Sequence, residues 1–336
     1  RLGDGDSMLY AFPERMAERR NQWYFDLKKE VPAAICKSSV KEKIRAFRKI
    51  IKENGVDTVH THFTDMKTDM CVNIACLGLR VKKFKHYRSS FGSFGTIKKF
   101  FARVCYRSWN AVICVSPHIM REAESNIVSC KPVLLNDAVY FPRMDNYEKL
   151  CKPDLGVPES AVLCFAIGYD YRLKGIDLAC EAVKKLRDEG LNIYLAVCTA
   201  SNTQTIAEQI RAQFGEFPEW LKLLPPRQDI ASYYRAADIY IQASRSEGFC
   251  YAIVEAAYCG KTVVASDCPG MKSHAEKNFD FLWFKNGDSD SLSEKLGQAV
   301  KMSESSELSS KNRRSAIDNY SIENMSKKLY RIYADM

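Results

Sequence analysis

The segment Ser244-Arg-Ser-Glu-Gly-Phe-Cys-Tyr-Ala-Ile-Val-Glu-Ala-Ala257 holds two carboxylates, Glu247 just before an expected helix and Glu255 about two turns along it. Gly248 lets the backbone approach a ligand, and the free N–H groups of a helix start can cradle phosphate oxygens. One carboxylate can then face a sugar at the mouth of a site while the other reaches a ribose diol deeper in. A surface glutamate beside a helix glutamate is also common in any protein, so the pair alone decides nothing. The second informative segment is Ile167-Gly-Tyr-Asp-Tyr-Arg-Leu-Lys-Gly175, where Arg172 and Lys174 flank a glycine turn. Cations so placed can neutralise a diphosphate in a low-dielectric cleft. A lone Lys-Gly pair reads equally well as solvated surface.

Both segments need strands and helices to hold them, and each half of the chain alternates the two. In the first half, β-rich runs at 23–27, 57–63, 84–88, 111–115 and 131–135 alternate with helical periodicity at 40–52, 67–77 and 97–109. Ala111-Val-Ile-Cys-Val115 is apolar throughout, as a strand buried on both faces requires, and Pro117 suits the first turn of a helix. Residues 136–160, with Pro142, Pro153 and Pro158, read as a linker. The second half predicts strands at 161–167, 192–198, 220–224, 239–243 and 262–265. Helices are expected near 176–186, 206–214, 230–236 and 251–259, with a helical tail at 322–336. Such alternation implies parallel sheets covered on both faces, with ligands beyond the carboxyl ends of the strands. Both chemical segments leave such ends. The expected division is 1–145, 146–320 and a C-terminal helix, 321–336, returning to the first domain. Gly3-Asp-Gly-Asp-Ser7 follows only two residues, which places the opening strand of the first domain upstream of Arg1.

A chain of 336 residues is more than one core usually serves, and 46% apolar with 27% charged residues is an ordinary globular composition. No apolar run approaches the ~18 residues that cross a bilayer. Thirteen scattered cysteines without a CxxC pair argue against a disulfide framework or zinc site and for a reducing, cytoplasmic setting. Charge is uneven: residues 1–150 hold 27 Lys and Arg against 16 Asp and Glu, and residues 151–336 hold 23 against 25. Between Met70 and Arg121 no acidic residue occurs, while Arg80, Lys82, Lys83, Lys85, Arg88, Lys98, Lys99, Arg103 and Arg107 do. This stretch suits an anionic acceptor, an acidic membrane surface or plain solvation. No helix-turn-helix, RNA-binding aromatic motif or zinc pattern accompanies it, so nucleic acid is not an expected partner.

Together these motifs resemble the retaining glycosyltransferases of the family 4 type (glycosyl transferases group 1). The resemblance rests on Glu247-x7-Glu255 within Ser-x-x-Glu-Gly-Phe, on Lys174-Gly175 six residues after Gly168, and on Tyr234-x2-Ala-Asp238 leading to Ser244. Asn136, Val115-Ser-Pro117 and Val59-His-Thr-His62 are similar to landmarks of its N-terminal domain, and the likeness runs from about Val56 to Asp267. The implied fold is α/β, with two Rossmann-like domains facing across a cleft (GT-B) and the N-terminal one short of its first strand. The implied activity moves a sugar from a UDP- or GDP-linked donor to a glycan or lipid-linked acceptor hydroxyl. Lys174, with Arg172, would bind the diphosphate, Glu247 the donor sugar and Glu255 the ribose. Gly168 and the amides of Gly248, Phe249 and Cys250 would complete the donor site. His62 would face the donor sugar from the first domain, with His60 turned to the opposite side of its sheet, and Arg88, Ser89 and Ser90 would border the acceptor. No metal and no further cofactor is implied. Tyr169 replaces an arginine frequent in the family, Cys250 a glycine, and Pro269-Gly270-Met-Lys-Ser273 lacks the family's glutamate.

Within this resemblance, the 97–109 helix, with Lys98, Lys99, Phe100, Phe101, Arg103, Val104 and Arg107, is read as resting on an anionic membrane at its inner face. Core-facing Phe100 and Phe101 with solvated lysines would explain the same residues. Two other functions fit a two-lobed α/β chain: a sugar-nucleotide epimerase, and a non-catalytic hinged sugar- or nucleotide-binding protein.

Overall fold

The computed structural model describes residues 10–13, 33–36, 39–62, 65–127, 129–199, 202–302 and 306–336. The expected strand at 23–27 lies outside them. The chain divides into two compact units: Arg1–Val115 with Ile119–Leu135 and Ser326–Met336, and Ser116–His118 with Asn136–Met325.

In the first unit, β1 (Tyr10–Pro13) pairs in parallel with β2 (Ala33–Cys36). The first unit therefore has a pair of strands ahead of the helix that begins at Val40, which the sequence reading lacked. A second sheet runs β3-β4-β5-β6, from Thr58–His62, Lys82–Tyr87, Ala111–Cys114 and Pro132–Leu134, all parallel. Helices α1 (Val40–Glu53), α2 (Met66–Ala75), α3 (Thr96–Tyr106) and α4 (Pro117–Asn126) connect them, as parallel pairing requires. All four residues of β5 are buried, as its unbroken apolar run predicts.

The second unit is a six-stranded parallel sheet of β7 (Val162–Ile167), β8 (Ile193–Cys198), β9 (Leu221–Leu224), β10 (Ile239–Gln242), β11 (Thr262–Ser266) and β12 (Leu282–Phe284). Their spatial order is β12-β11-β10-β7-β8-β9, so the winding reverses between β7 and β10. The helices are α5 (Ile176–Asp188), α6 (Thr203–Phe214), α7 (Ala231–Ala236), α8 (Tyr251–Tyr258), α9 (Pro269–Lys272), α10 (Ser289–Met302), α11 (Ser306–Tyr320) and α12 (Ile322–Asp335). On α5 the buried residues include Ile176, Ala179, Cys180, Val183 and Leu186, the predicted stripe. They meet Ile193, Leu195, Val197, Ile239, Ile241 and Val264 from the sheet, and each fully buried Val, Leu or Ile is worth ~1.5–3 kcal/mol.

Residues 136–145, assigned from the sequence to the first domain, fall in the second unit. Val139 bridges Ser321 in parallel, Phe141 stacks on Tyr258 at 4.4 Å, and Tyr258 OH donates to Asp145 at 2.6 Å. The end of α12 belongs to the first unit. There Tyr333 lies 4.9 Å from Phe84 between ring centres, and Lys82 Nζ donates to the Tyr333 carbonyl at 2.8 Å. Among the described residues, no helix is long and apolar enough to cross a membrane.

Candidate functional site

The exits of β7 and β10 flank the point where the second sheet reverses its winding, where open α/β sheets bind ligands. Glycine allows the two exit loops to touch. Gly175 has φ +66°, and a Cβ there would lie 1.9 Å from the Ala243 carbonyl oxygen. Gly270, at the start of α9, closes the other side, since its Cβ would meet the Glu247 carbonyl oxygen at 1.7 Å.

This contact brings together two of the residues singled out in the sequence. Lys174 Nζ donates to Glu247 Oε1 at 2.7 Å, both side chains being largely buried, and stands 5.1 Å from the ring centre of Tyr169. Burial lowers the Lys174 pKa, but the Glu247 carboxylate outweighs it, so the net shift is upward and the lysine is a firm cation. A polar relay reaches Glu247 from the sheet. Tyr240 OH donates to Gln242 Oε1, Gln242 Nε2 to Ser244 Oγ at 2.7 Å, and Ser244 Oγ to Glu247 Oε1 at 2.7 Å. Tyr240, Gln242 and Ser244 sit at the strand period of two, which places them on one face. The period of two is legible in the sequence at Tyr240, Gln242 and Ser244.

Glu255 lies within α8, buried, accepting from Tyr234 OH at 3.1 Å and paired with Arg143. Arg143 belongs to segment 136–145 and was not anticipated. Phe249 is a buried anchor whose ring packs on His274 at 4.9 Å and Tyr320 at 5.2 Å, while its carbonyl meets His274 Nε2 at 2.5 Å. Cys250 caps the start of α8 with φ +69°, a left-handed conformation, which explains why glycine suits this position. Burial pushes its thiol well up, so it is no nucleophile. Gly248 is half-buried beside it. Gly168 follows β7 directly, where a Cβ would press within 2.8 Å of Ile176. Arg172 is 72% exposed at the side chain and held by Asp177 Oδ2 at 2.7 Å.

In the first unit, His62 is joined by His60 and by His86, its register partner on β4. The ring centres lie 4.1 Å (His60–His62), 5.1 Å (His62–His86) and 5.2 Å (His60–His86) apart. His60 therefore shares the face of His62 instead of opposing it, because side chains two residues apart in a strand point the same way. Burial pushes His62 down to about 4 and His86 to about 2, and holds His60 well below its usual value. These three come within 4.8 Å of one another, close enough to share a cation. Arg88 and Lys85, which also hold the imidazoles neutral, act equally against a metal dication. Of the acceptor set, Ser90 Oγ donates to Glu122 at 2.6 Å, Ser89 is exposed, and Arg88 is half-buried.

These neutral imidazoles predict acid sensitivity. Unfolded, each titrates near 6.5. Between that value and the folded ones the unfolded chain holds more protons, so stability falls as pH drops, by ~1.4 kcal/mol per pH unit per histidine. Urea midpoints at pH 7.5 and 5.5 and constant ionic strength should show a clear loss at the lower pH. An unchanged midpoint contradicts their neutrality.

Residues 151–316 match the family described as glycosyl transferases group 1. This half carries a glycosyl transferases group 1 domain. The glycosyltransferase domain holds every predicted donor-side residue except His62. The chain is 38% identical over 73 residues to N,N'-diacetylbacillosaminyl-diphospho-undecaprenol alpha-1,3-N-acetylgalactosaminyltransferase of Campylobacter jejuni, 22% of this chain and 19% of that one. It is 33% identical over 140 residues to D-inositol 3-phosphate glycosyltransferase of Corynebacterium kroppenstedtii, 39% of this chain and 31% of that one. The match thus spans less than a third of the length of either relative. The fold is shared over 98% of both chains with a glycosyltransferase from Rickettsia africae, at TM-score 0.81 and 18% identity. It is shared with Anabaena HepE, solved with UDP and glucose, over 98% of this chain and 100% of that one, at TM-score 0.73 and 15% identity. Parallel α/β units of this kind match the GT-B fold of those solved structures.

Proposed function

We propose that the chain is a retaining glycosyltransferase that moves a sugar from a UDP- or GDP-linked donor to a hydroxyl of a glycan or lipid-linked acceptor. The observation that carries this reading is the Lys174–Glu247 contact at the sheet's reversal point, 2.7 Å long, inside the glycosyltransferase domain. A firm cation beside a carboxylate matches a diphosphate beside a sugar hydroxyl. Lys174, supported by Arg172, takes the diphosphate and stabilises the leaving group. Glu247 accepts from the sugar's hydroxyls and Glu255 from the ribose. Gly168 and the amides of Gly248, Phe249 and Cys250 approach the phosphates, and His62 is assigned to the sugar by resemblance. In transfer with retention, the acceptor oxygen bonds to the anomeric carbon on the face from which the phosphate leaves. The acceptor's proton passes to an oxygen of the departing diphosphate. Cationic side chains suffice for that charge, so no metal or further cofactor is required.

A lipid-linked acceptor is supported by the Campylobacter relative, whose name specifies an undecaprenol diphosphate. It also fits α3, where Ile97, Phe100, Phe101 and Val104 are exposed at helical spacing on one face with Lys98, Lys99 and Arg103 beside them. Phe100 and Phe101 therefore do not face the core. Such a face suits an anionic inner membrane surface. Replacing Lys98 and Lys99 by glutamine should weaken co-sedimentation with phosphatidylglycerol vesicles about thirtyfold, at ~1 kcal/mol per lysine. Unchanged binding removes the membrane from this reading.

A thermal-shift screen against UDP, GDP, ADP and CMP tests the donor site. A ligand of the folded state adds ~2.7 kcal/mol of stability at a hundred times its Kd. A shift with one nucleotide names the base for an acceptor search. No shift with any of them overturns the reading, and isomerisation of the donor without acceptor would make the chain an epimerase.

A further inference from the structure

Arg245 lies in the loop after β10, two residues before Glu247, and faces the loop that carries Lys174. Its guanidinium donates to both oxygens of Asp177, Nη1 to Oδ1 at 2.8 Å and Nη2 to Oδ2 at 2.7 Å, and also to the Arg172 carbonyl. Its backbone N–H donates to the Leu173 carbonyl at 2.9 Å, and its own carbonyl accepts from Asn286 Nδ2 at 3.0 Å. The loop after β10 is thus tied to the two residues immediately before Lys174. Asp177, in the first turn of α5, is 1% exposed, so neighbouring cations rather than water must meet its charge. The hydrogen bonds to Asp177 raise the Arg245 pKa further, keeping the guanidinium charged.

We propose that Arg245 and Asp177 form a clamp that fixes Lys174 against Glu247 and so sets donor affinity, with Arg245 a positioning residue that does not touch the donor. This rests on the reading of Lys174 and Glu247 as the donor-binding pair. Loops at a sheet's edge lose conformational freedom when they close on a ligand, and a two-pronged arginine fork settles that loss before the ligand arrives. Lysine offers a single point charge in place of the fork.

The test titrates the full chain with UDP and, in parallel, GDP by calorimetry. Arg245→Met should weaken nucleotide binding about tenfold, within the range for directly coupled residues. Because Arg245→Met leaves Asp177 buried with Arg172 as its remaining cation, Arg245→Met/Asp177→Asn is the fold control: it removes the buried charge together with the fork, while Arg172 loses its carboxylate partner, and the affinity loss should persist. In a Lys174→Met background, Arg245→Met should cost no further affinity, since the residue it positions is gone. Arg245→Lys should recover only part of the loss. Wild-type affinity in Arg245→Met or Arg245→Lys, or an undiminished loss in the Lys174→Met background, overturns the clamp. Wild-type affinity in Lys174→Met alone instead overturns the donor site itself.

Discussion

Replacing Lys174 by alanine is expected to lower turnover about 10²–10³-fold, the usual cost of removing one donor aimed at developing charge. The chain should remain folded. Glu247 would keep Ser244 Oγ at 2.7 Å and Gln242 Nε2 at 3.4 Å, so its carboxylate is not stranded when the lysine is lost. The loss should appear in kcat/KM at saturating acceptor, and the thermal shift produced by the donor's nucleotide should shrink with it. Glu255→Ala should weaken nucleotide binding too, though its neighbours differ: it frees Arg143 and Tyr234 OH, which Glu255 holds in the resting site. Wild-type kcat/KM in purified Lys174→Ala would remove the proposed site. A melted chain would instead show that the lysine's first task is structural.

Gly175→Ala should destabilise the chain by ~3 kcal/mol or more and abolish activity, through a left-handed backbone plus a steric clash. The added Cβ would sit 1.9 Å from the Ala243 carbonyl, a backbone atom that no rotamer change can move aside. The loop carrying Lys174 would have to lift away from the loop carrying Glu247. Gly55→Ala is the matched control. Gly55 has φ +60° and nothing within 4 Å of its Cβ position, so it should cost only the ~1–2 kcal/mol of the left-handed backbone. Urea midpoints of the two variants separate clash from strain. Equal losses would mean that the approach of the two loops carries no stability of its own.

Much of this architecture was legible because its signals are local. The helical spacing of Ile176, Ala179, Val183 and Leu186 needs no neighbours to be read, and neither does the unbroken apolar run at 111–115. Elements without such a period escaped. Strands β1 (Tyr-Ala-Phe-Pro), β2 (Ala-Ala-Ile-Cys) and β12 (Leu-Trp-Phe) carry no polar–apolar alternation. Helix α11 is predominantly polar and reveals itself mainly through the buried Ala316 and Tyr320. Helix α10 did carry a signal, in Leu292, Leu296 and Ala299, that was passed over. The shared face of His60 and His62 was also available from the period of two and was misjudged.

The site divides the same way. Lys174, Glu247 and Glu255 were named from the sequence because residue type and distance from a helix start lie within one short segment. The partners supplied from distant segments could not be. Arg143 reaches Glu255 across 112 positions and Arg245 reaches Asp177 across 68, and no local pattern encodes contacts that long. The sequence by itself determined which residues could carry charge at the ends of which strands, since strand and helix periods are properties of neighbouring residues. Only the tertiary structure decided which of those charges meet. That choice follows from the order β12-β11-β10-β7-β8-β9, which sets the exits of β7 and β10 side by side.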